Sequence, residues 1–241
     1  MPTDRKGLRR LSIIIFAVGV LAGLLLSASL IWADLEASLF DPGMRGDTNL
    51  NLHCPLVLTR GETGHISASF TNTATWKLNL TVRAHFSHGY LSLIREESTL
   101  LALDPGESQE VRWTVTSEDR LYRNFIFVKV ANFRQMPIPG RIGTCGIIVL
   151  DLPILSGIQI VVLIVGLAVI CIFSGIALWR VATRQFPAKG RSVMRAMSWL
   201  TVAVVACLLS GILRAWLPGV LAFVVSLLLI GEIGVFYIQS R

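Results

Sequence analysis

Two kinds of hydrophobic pattern divide the chain. Long runs almost free of charge occupy residues 11–33, 152–179, 196–213 and 215–240, the last interrupted only by Glu232. A helix rises 1.5 Å per residue and the hydrocarbon core of a bilayer is about 30 Å thick, so about 20 apolar residues cross it. The runs therefore predict four transmembrane helices, at 11–32, 153–179, 196–214 and 217–238. Trp32, Trp179, Trp199 and Trp216 fall at their ends, where an amphipathic indole prefers the membrane interface. Between the first two helices the pattern changes to alternation. Cys54, Leu56 and Leu58 alternate with polar or solvent-tolerant neighbours, as do Ile66, Ala68 and Phe70; Leu78, Leu80, Val82 and Ala84; Val111, Trp113 and Val115; and Ile126, Val128 and Val130. Period two over such lengths marks half-buried strands. Turn chemistry lies between the runs at Arg60-Gly61-Glu62, Asp104-Pro105-Gly106-Glu107 and from Pro137 to Gly140. With shorter runs at Tyr90 to Ile94 and Cys145 to Leu150, about seven strands are expected over 49–152, the spacing of an antiparallel sandwich.

Composition and charge fix the class. Hydrophobic residues make up 53% and charged residues 15% of 241, against about a quarter charged in soluble chains. A soluble cytosolic enzyme, a disordered chain and a small secreted disulfide scaffold are excluded. The segments before the first helix, between the second and third and after the fourth hold ten basic residues (Arg5, Lys6, Arg9, Arg10, Arg180, Arg184, Lys189, Arg191, Arg195 and Arg241) against Asp4. The stretch 33–153 holds eleven basic and thirteen acidic residues. By the positive-inside rule both termini are cytoplasmic, in a multi-pass protein of the plasma membrane whose sandwich lies outside. The excess of positive charge is thus a topology signal, and no nucleic-acid partner is expected; the lipid bilayer is one partner. Arg9 and Arg10, the apolar run and Ser27-Ala28-Ser29 also fit a cleaved signal peptide, an alternative that leaves the sidedness unchanged.

The segment GETGHISASFTNT, followed by LNLTVRAHF, LALDPGESQEVRWTVTSED and NFIFVKVAN, resembles an immunoglobulin-like sandwich of the bacterial CARDB type, in which a Pro-Gly-Glu turn opens an alternating strand. The resemblance covers 49–152. It implies a module of a kind used in adhesion, carbohydrate proteins and protein contacts, and a fold alone does not assign function. The fold class expected is a membrane α-helical bundle of four helices with an inserted all-β immunoglobulin-like sandwich. A basic N-terminus (1–10), a linker (33–48), a basic cytoplasmic loop (180–195) and a short C-terminus (239–241) complete the organisation.

Little of the chain suggests chemistry. Cys54 and Cys145 fall in the first and last strands, in an oxidising compartment on this topology, and are either a disulfide or two free thiols. Cys171 and Cys207 lie in spans as packing residues. The histidines are His53, His65, His85 and His88. The pair three apart in His85-Phe-Ser-His88 would point to opposite faces of a strand, and no zinc-ligand spacing surrounds it. Hydrolase, metalloprotease, P-loop and dinucleotide motifs are absent. No catalytic constellation, metal site or cofactor is expected, and the protein is read as a non-enzyme.

Interaction features carry more weight. Gly19, Gly23 and Ser27 form a stripe at intervals of four that permits close helix approach, within the chain or to another subunit. Glu232 is costly inside a membrane and should face protein or water. It is either protonated and hydrogen-bonded, with Thr201 on the neighbouring helix in range, or meets a group of another subunit, with Gly231 and Gly234 allowing a close neighbour; a proton relay is a third reading, for which no polar chain accompanies it. Phe133, Met136 and Ile138 lie among prolines and glycines in a sandwich-end loop and form an expected contact surface for a partner or for headgroups. The function expected is a non-catalytic accessory, scaffold or assembly subunit of a membrane complex, with other membrane protein subunits as partners. The alternative is a surface receptor or adhesion-type module for a protein or glycan of unknown identity.

Overall fold

A computed structural model of the chain describes residues 4–89, 94–133, 140–183 and 187–239, with side chains for 7–89, 94–133, 140–183 and 193–232. The chain divides into two compact units, one of residues 1–31 and 161–241 and one of residues 32–160.

Among the described residues four α-helices are formed: α1 (Asp4–Leu39), α2 (Gly157–Thr183), α3 (Pro187–Ile212) and α4 (Trp216–Gln239). Gly7–Leu39, Gly157–Thr183 and Val193–Ile212 are long and apolar enough to cross a membrane, whereas the described apolar stretch of α4, Trp216–Glu232, is shorter. Two expectations are corrected. Helix α1 does not stop at Trp32 but runs to Leu39, because 33–39 is rich in good helix formers and buries Ala33 and Ala37 completely. The basic segment 180–195 is largely helical, with α2 reaching Thr183 and α3 opening on Pro187, a residue suited to a first helical turn.

Nine strands are formed among the described residues: β1 (Thr48–Asn49), β2 (Leu52–His53), β3 (Val57–Thr59), β4 (Gly64–Thr71), β5 (Leu78–Ser87), β6 (Ile94–Leu103), β7 (Ser108–Val115), β8 (Phe125–Asn132) and β9 (Arg141–Leu150). They make a six-stranded sheet in the order β1-β9-β8-β5-β6, with β3 also on β9, and a three-stranded sheet in the order β2-β4-β7. The first expected strand is therefore three short ones. β1 and β3 pair parallel with β9, and β2 crosses to pair antiparallel with β4 in the opposite sheet. The expected strand at 90–94 is β6, of which only Ile94 is shared; residues 90–93 lie outside the described residues. The core between the sheets contains the alternating residues read from the sequence, including Ile66, Phe70, Val82, Trp113, Val115, Ile126 and Val128, together with Phe86 and Ile147.

Candidate functional site

In the helical unit the small-residue stripe is used within the chain. A Cβ placed on Gly19 would lie 2.8 Å from Ala168 O and 2.9 Å from Cys171 Cβ, so α1 meets α2 there. On Gly23 it would lie 2.9 Å from Val204 Cγ1, where α1 meets α3. Ser27 is fully buried, and its hydroxyl donates to Gly23 O at 2.8 Å. Ser12 Oγ donates to Gly175 O at 2.8 Å, beside the close approach of Gly175 to Phe16. Glu232 is treated differently. Its side chain is exposed, and a Cβ on Gly231 would meet nothing within 4 Å. The Thr201 hydroxyl donates to Met197 O of its own helix at 2.8 Å. Gly234 belongs to α4, and its surroundings lie outside the described residues.

In the sandwich unit Cys54 and Cys145 form a disulfide across 91 residues, with Cα atoms 6.6 Å apart. Cys54 lies in the connection between β2 and β3, where the chain leaves one sheet for the other, and Cys145 is on β9. The outer face of the large sheet carries a cluster with no signature in the sequence. The last turns of α1 lie on it, with Ala37, Leu121 and Phe127 forming a small core joined by Phe40 and Phe125. Asp34 Oδ1 accepts the Gly146 N–H at 3.0 Å, in the interval where neither β1 nor β3 covers β9. Lys129, only 5% exposed, donates from Nζ to Phe40 O at 2.7 Å and Asp41 O at 2.9 Å. It thereby satisfies carbonyls just past the end of α1, where a cation is favoured. Burial pushes the Lys129 ammonium pKa down, and the Asp41 carboxylate opposes that shift. Asp41 has a left-handed backbone (φ 43°), and its Oδ2 accepts from His85 Nδ1 at 2.7 Å, while Nε2 faces Glu96 Oε2 at 3.6 Å. His88 is separated from this group and lies 3.9 Å from Asp119. Among the described residues no group of three or more His, Cys, Asp or Glu side chains is placed to hold a metal.

Two further ionic sites hold the sandwich. Asp119 is buried and takes a forked pair from Arg95, Nε to Oδ1 at 3.0 Å and an Nη to Oδ2 at 3.1 Å, while the Arg95 guanidinium covers the Phe86 ring at 4.2 Å. Glu62 Oε2 accepts from Gly157 N at 3.0 Å and from Thr59 N and Oγ1 at 3.0 and 3.1 Å. Burial alone would raise the Glu62 pKa, but these three donors outweigh it and hold the carboxyl below its ordinary value.

Of the expected loop surface, Phe133 is described and is 45% exposed, with the Arg83 guanidinium 4.6 Å over its ring. Met136 and Ile138 lie outside the described residues. Phe133 follows Asn132, which pairs with Arg141 at the start of β9, and so lies at the far end of β9 from Leu150, about 30 Å along the strand. At that far end the sandwich opens into a groove of about 330 Å³ lined by Phe70, Thr71, Thr73, Ala74, Thr75, Trp76, Leu78, Leu80, Asn132 and Arg141.

No protein-family model and no curated protein sequence matches this chain. Solved structures give partial matches. The CARDB domain of a Pyrococcus furiosus protein, described in complex with di-metal ions, is 11% identical with a TM-score of 0.35, covering 44% of this chain and 96% of that one. A Paenibacillus cycloisomaltooligosaccharide glucanotransferase is 18% identical (TM-score 0.32), covering 44% of this chain and 14% of that one. An alkylpurine DNA glycosylase from Pseudomonas fluorescens is 17% identical (TM-score 0.31), covering 42% of this chain and 30% of that one. This chain thus spans under a third of the length of the last two. The CARDB resemblance read from the sequence has its counterpart in the first match, and none of the three bears on activity.

Proposed function

We propose that the chain is a four-span plasma-membrane protein with both termini cytoplasmic and the sandwich outside, acting as a non-catalytic accessory or assembly subunit of a membrane complex. The observation that carries this reading is the exposed Glu232 beside the open space at Gly231. A carboxylate in an apolar helix costs about 2–3 kcal/mol and calls for a partner group. The stripe at Gly19, Gly23 and Ser27 is already occupied by α2 and α3, which leaves the Gly231–Glu232 face of α4 for a neighbouring subunit. The positive excess on one set of connecting segments supports the orientation. Purification of the tagged chain in mild detergent, with mass-spectrometric identification of its companions, tests the assignment. A stoichiometric set of membrane partners that is lost in Glu232→Gln is expected; a partner-free chain, or partners unaffected by the substitution, would overturn it.

A second reading, a surface binding module anchored by the helices, is favoured by the groove at the end of the sandwich.

A further inference from the structure

Resting on that second reading, we propose that the groove binds an acidic saccharide, one sugar ring bearing a carboxylate. The argument starts from Asn72, which is fully buried and organises the segment after β4. Its Nδ2 donates to Trp76 O at 2.9 Å and Leu103 O at 3.0 Å, and its Oδ1 accepts from Ala74 N at 2.9 Å. Every arm of that amide is used to fix the loop, so Thr73, Thr75 and Trp76 are presented in a set arrangement before any ligand arrives. Such preorganisation lowers the entropic cost of binding. The floor is the end of the core, Phe70, Leu78 and Leu80, and the far wall is Asn132 and Arg141. An apolar floor with a few convergent polar groups is the usual make-up of a small-molecule site, and about 330 Å³ lies at the small end of such pockets.

Size and chemistry then select the ligand. The volume admits a single ring and excludes a run of peptide side chains. Trp76, half exposed, offers an indole against which the apolar face of a pyranose can lie. Thr73 and Thr75 line the groove, exposed, and their hydroxyls can both donate and accept, matching sugar hydroxyls, while that of Thr71 is shared with Ser108 at 2.7 Å. Arg141 supplies the charge. Among the described residues its guanidinium has no ion-pair partner; the neighbouring acid, Asp47, accepts from the backbone N–H of Gly140 at 3.3 Å. An arginine in this position matches a carboxylate bidentately.

The test uses the full chain in detergent micelles, with D-glucuronate and D-glucose as probes and saturation-transfer NMR and titration as readouts. Glucuronate is expected to bind about tenfold more tightly than glucose, the scale of one charge-assisted contact. Arg141→Gln should remove that preference, and Trp76→Ala, at an exposed position, should remove binding of both sugars. Absence of saturation transfer from glucuronate, equal binding of glucose, binding unchanged in Trp76→Ala, or equal competition by a short peptide carboxylate would each overturn the proposal. Retention of the Cys54–Cys145 disulfide and of the near-ultraviolet dichroism shows that a variant is folded. The failure of this proposal leaves the co-purification result at Glu232 untouched, so the two readings fail separately.

Discussion

In the helical unit the close approaches of backbone occur at Gly19, Gly23 and Gly175, and the polar atoms beside them are the hydroxyls of Ser12 and Ser27. In the sandwich two of the close approaches, at Gly146 against Ala33 and at Gly157 against Val57, are each accompanied by a carboxylate, Asp34 or Glu62, that accepts the glycine N–H, whereas that of Gly143 to Leu50 O stands without one. Gly23 and Gly175 are thus paired with a serine hydroxyl and Gly146 and Gly157 with an acid. The difference follows from the surroundings. A hydroxyl that bonds to a helix carbonyl brings no charge into an apolar bundle, whereas a carboxylate is sustained by the N–H and O–H donors that it accepts, Gly146 for the buried Asp34 and Gly157 and Thr59 for Glu62. Glu232 departs from the rule of its own unit, which is why it carries the functional proposal.

The comparison can be broken from the sandwich side first. Replacing Cys54 and Cys145 by serine removes a tie across 91 residues, worth about 4 kcal/mol in the chain-entropy model. The thermal midpoint of the sandwich transition should fall accordingly, leaving the core and the ionic contacts to hold the unit. Gly146→Val places a side chain where a Cβ already lies 2.1 Å from Ala33 O, and about 3 kcal/mol of destabilisation is expected. Limited proteolysis between Leu39 and Thr48 is the readout, since the end of α1 must lift from β9. Asp119→Ala removes the forked pair but leaves the Arg95 guanidinium its contacts to Glu97 and Thr114 O; with Arg95 a third exposed, the loss is about 1–2 kcal/mol, below the full cost of breaking a buried pair. Chemical unfolding of the variant measures it.

Smaller effects sharpen the contrast. Ser12→Ala in the helical unit should cost only about 1 kcal/mol, read from detergent-resistance of the helices, since no ionic partner is left behind. Glu62 gives the contrast a pH dependence. Its folded pKa is depressed by the Gly157 and Thr59 donors against burial, so its contribution is complete above the unfolded carboxylate value of about 4.3 and is lost as pH falls through the lower folded value. Acid unfolding should therefore be less steep in Glu62→Gln than in the parent, and identical profiles would remove Glu62 from the account.

Much of the sandwich was legible because its inner faces follow period two: Ile66, Ala68 and Phe70 on β4, and Ile126, Val128 and Val130 on β8, all point into the core. Strand β6 escaped that reading for a physical reason. It is an edge strand whose Arg95, Glu96, Glu97, Ser98 and Thr99 meet solvent or ionic partners, and only Leu101 and Leu103 are buried. The extension of α1 was hidden because 33–39 is neither apolar nor alternating, and its burial depends on a sheet formed far along the chain. The Asp41, His85, Glu96 and Lys129 cluster likewise joins four segments that no local spacing relates. The groove was invisible for the same reason, with Trp76 and Arg141 brought together by the closing of the sandwich. Glu232, by contrast, announced itself by being charged within an apolar run.

The position of β9 has a consequence for how the protein is made. The last strand of the sandwich is flanked by β8 on one side and by β1 and β3 on the other, so the large sheet has a gap at its centre until residues 141–150 arrive. Contacts of such long sequence separation are slow to form, and here they cannot begin early. The N-terminal strands must wait, unpaired in that sheet, while more than eighty intervening residues are synthesised. The Cys54–Cys145 bond can close only once Cys145 has been made, so the accumulation of reduced Cys54 would report a chain stalled before β9.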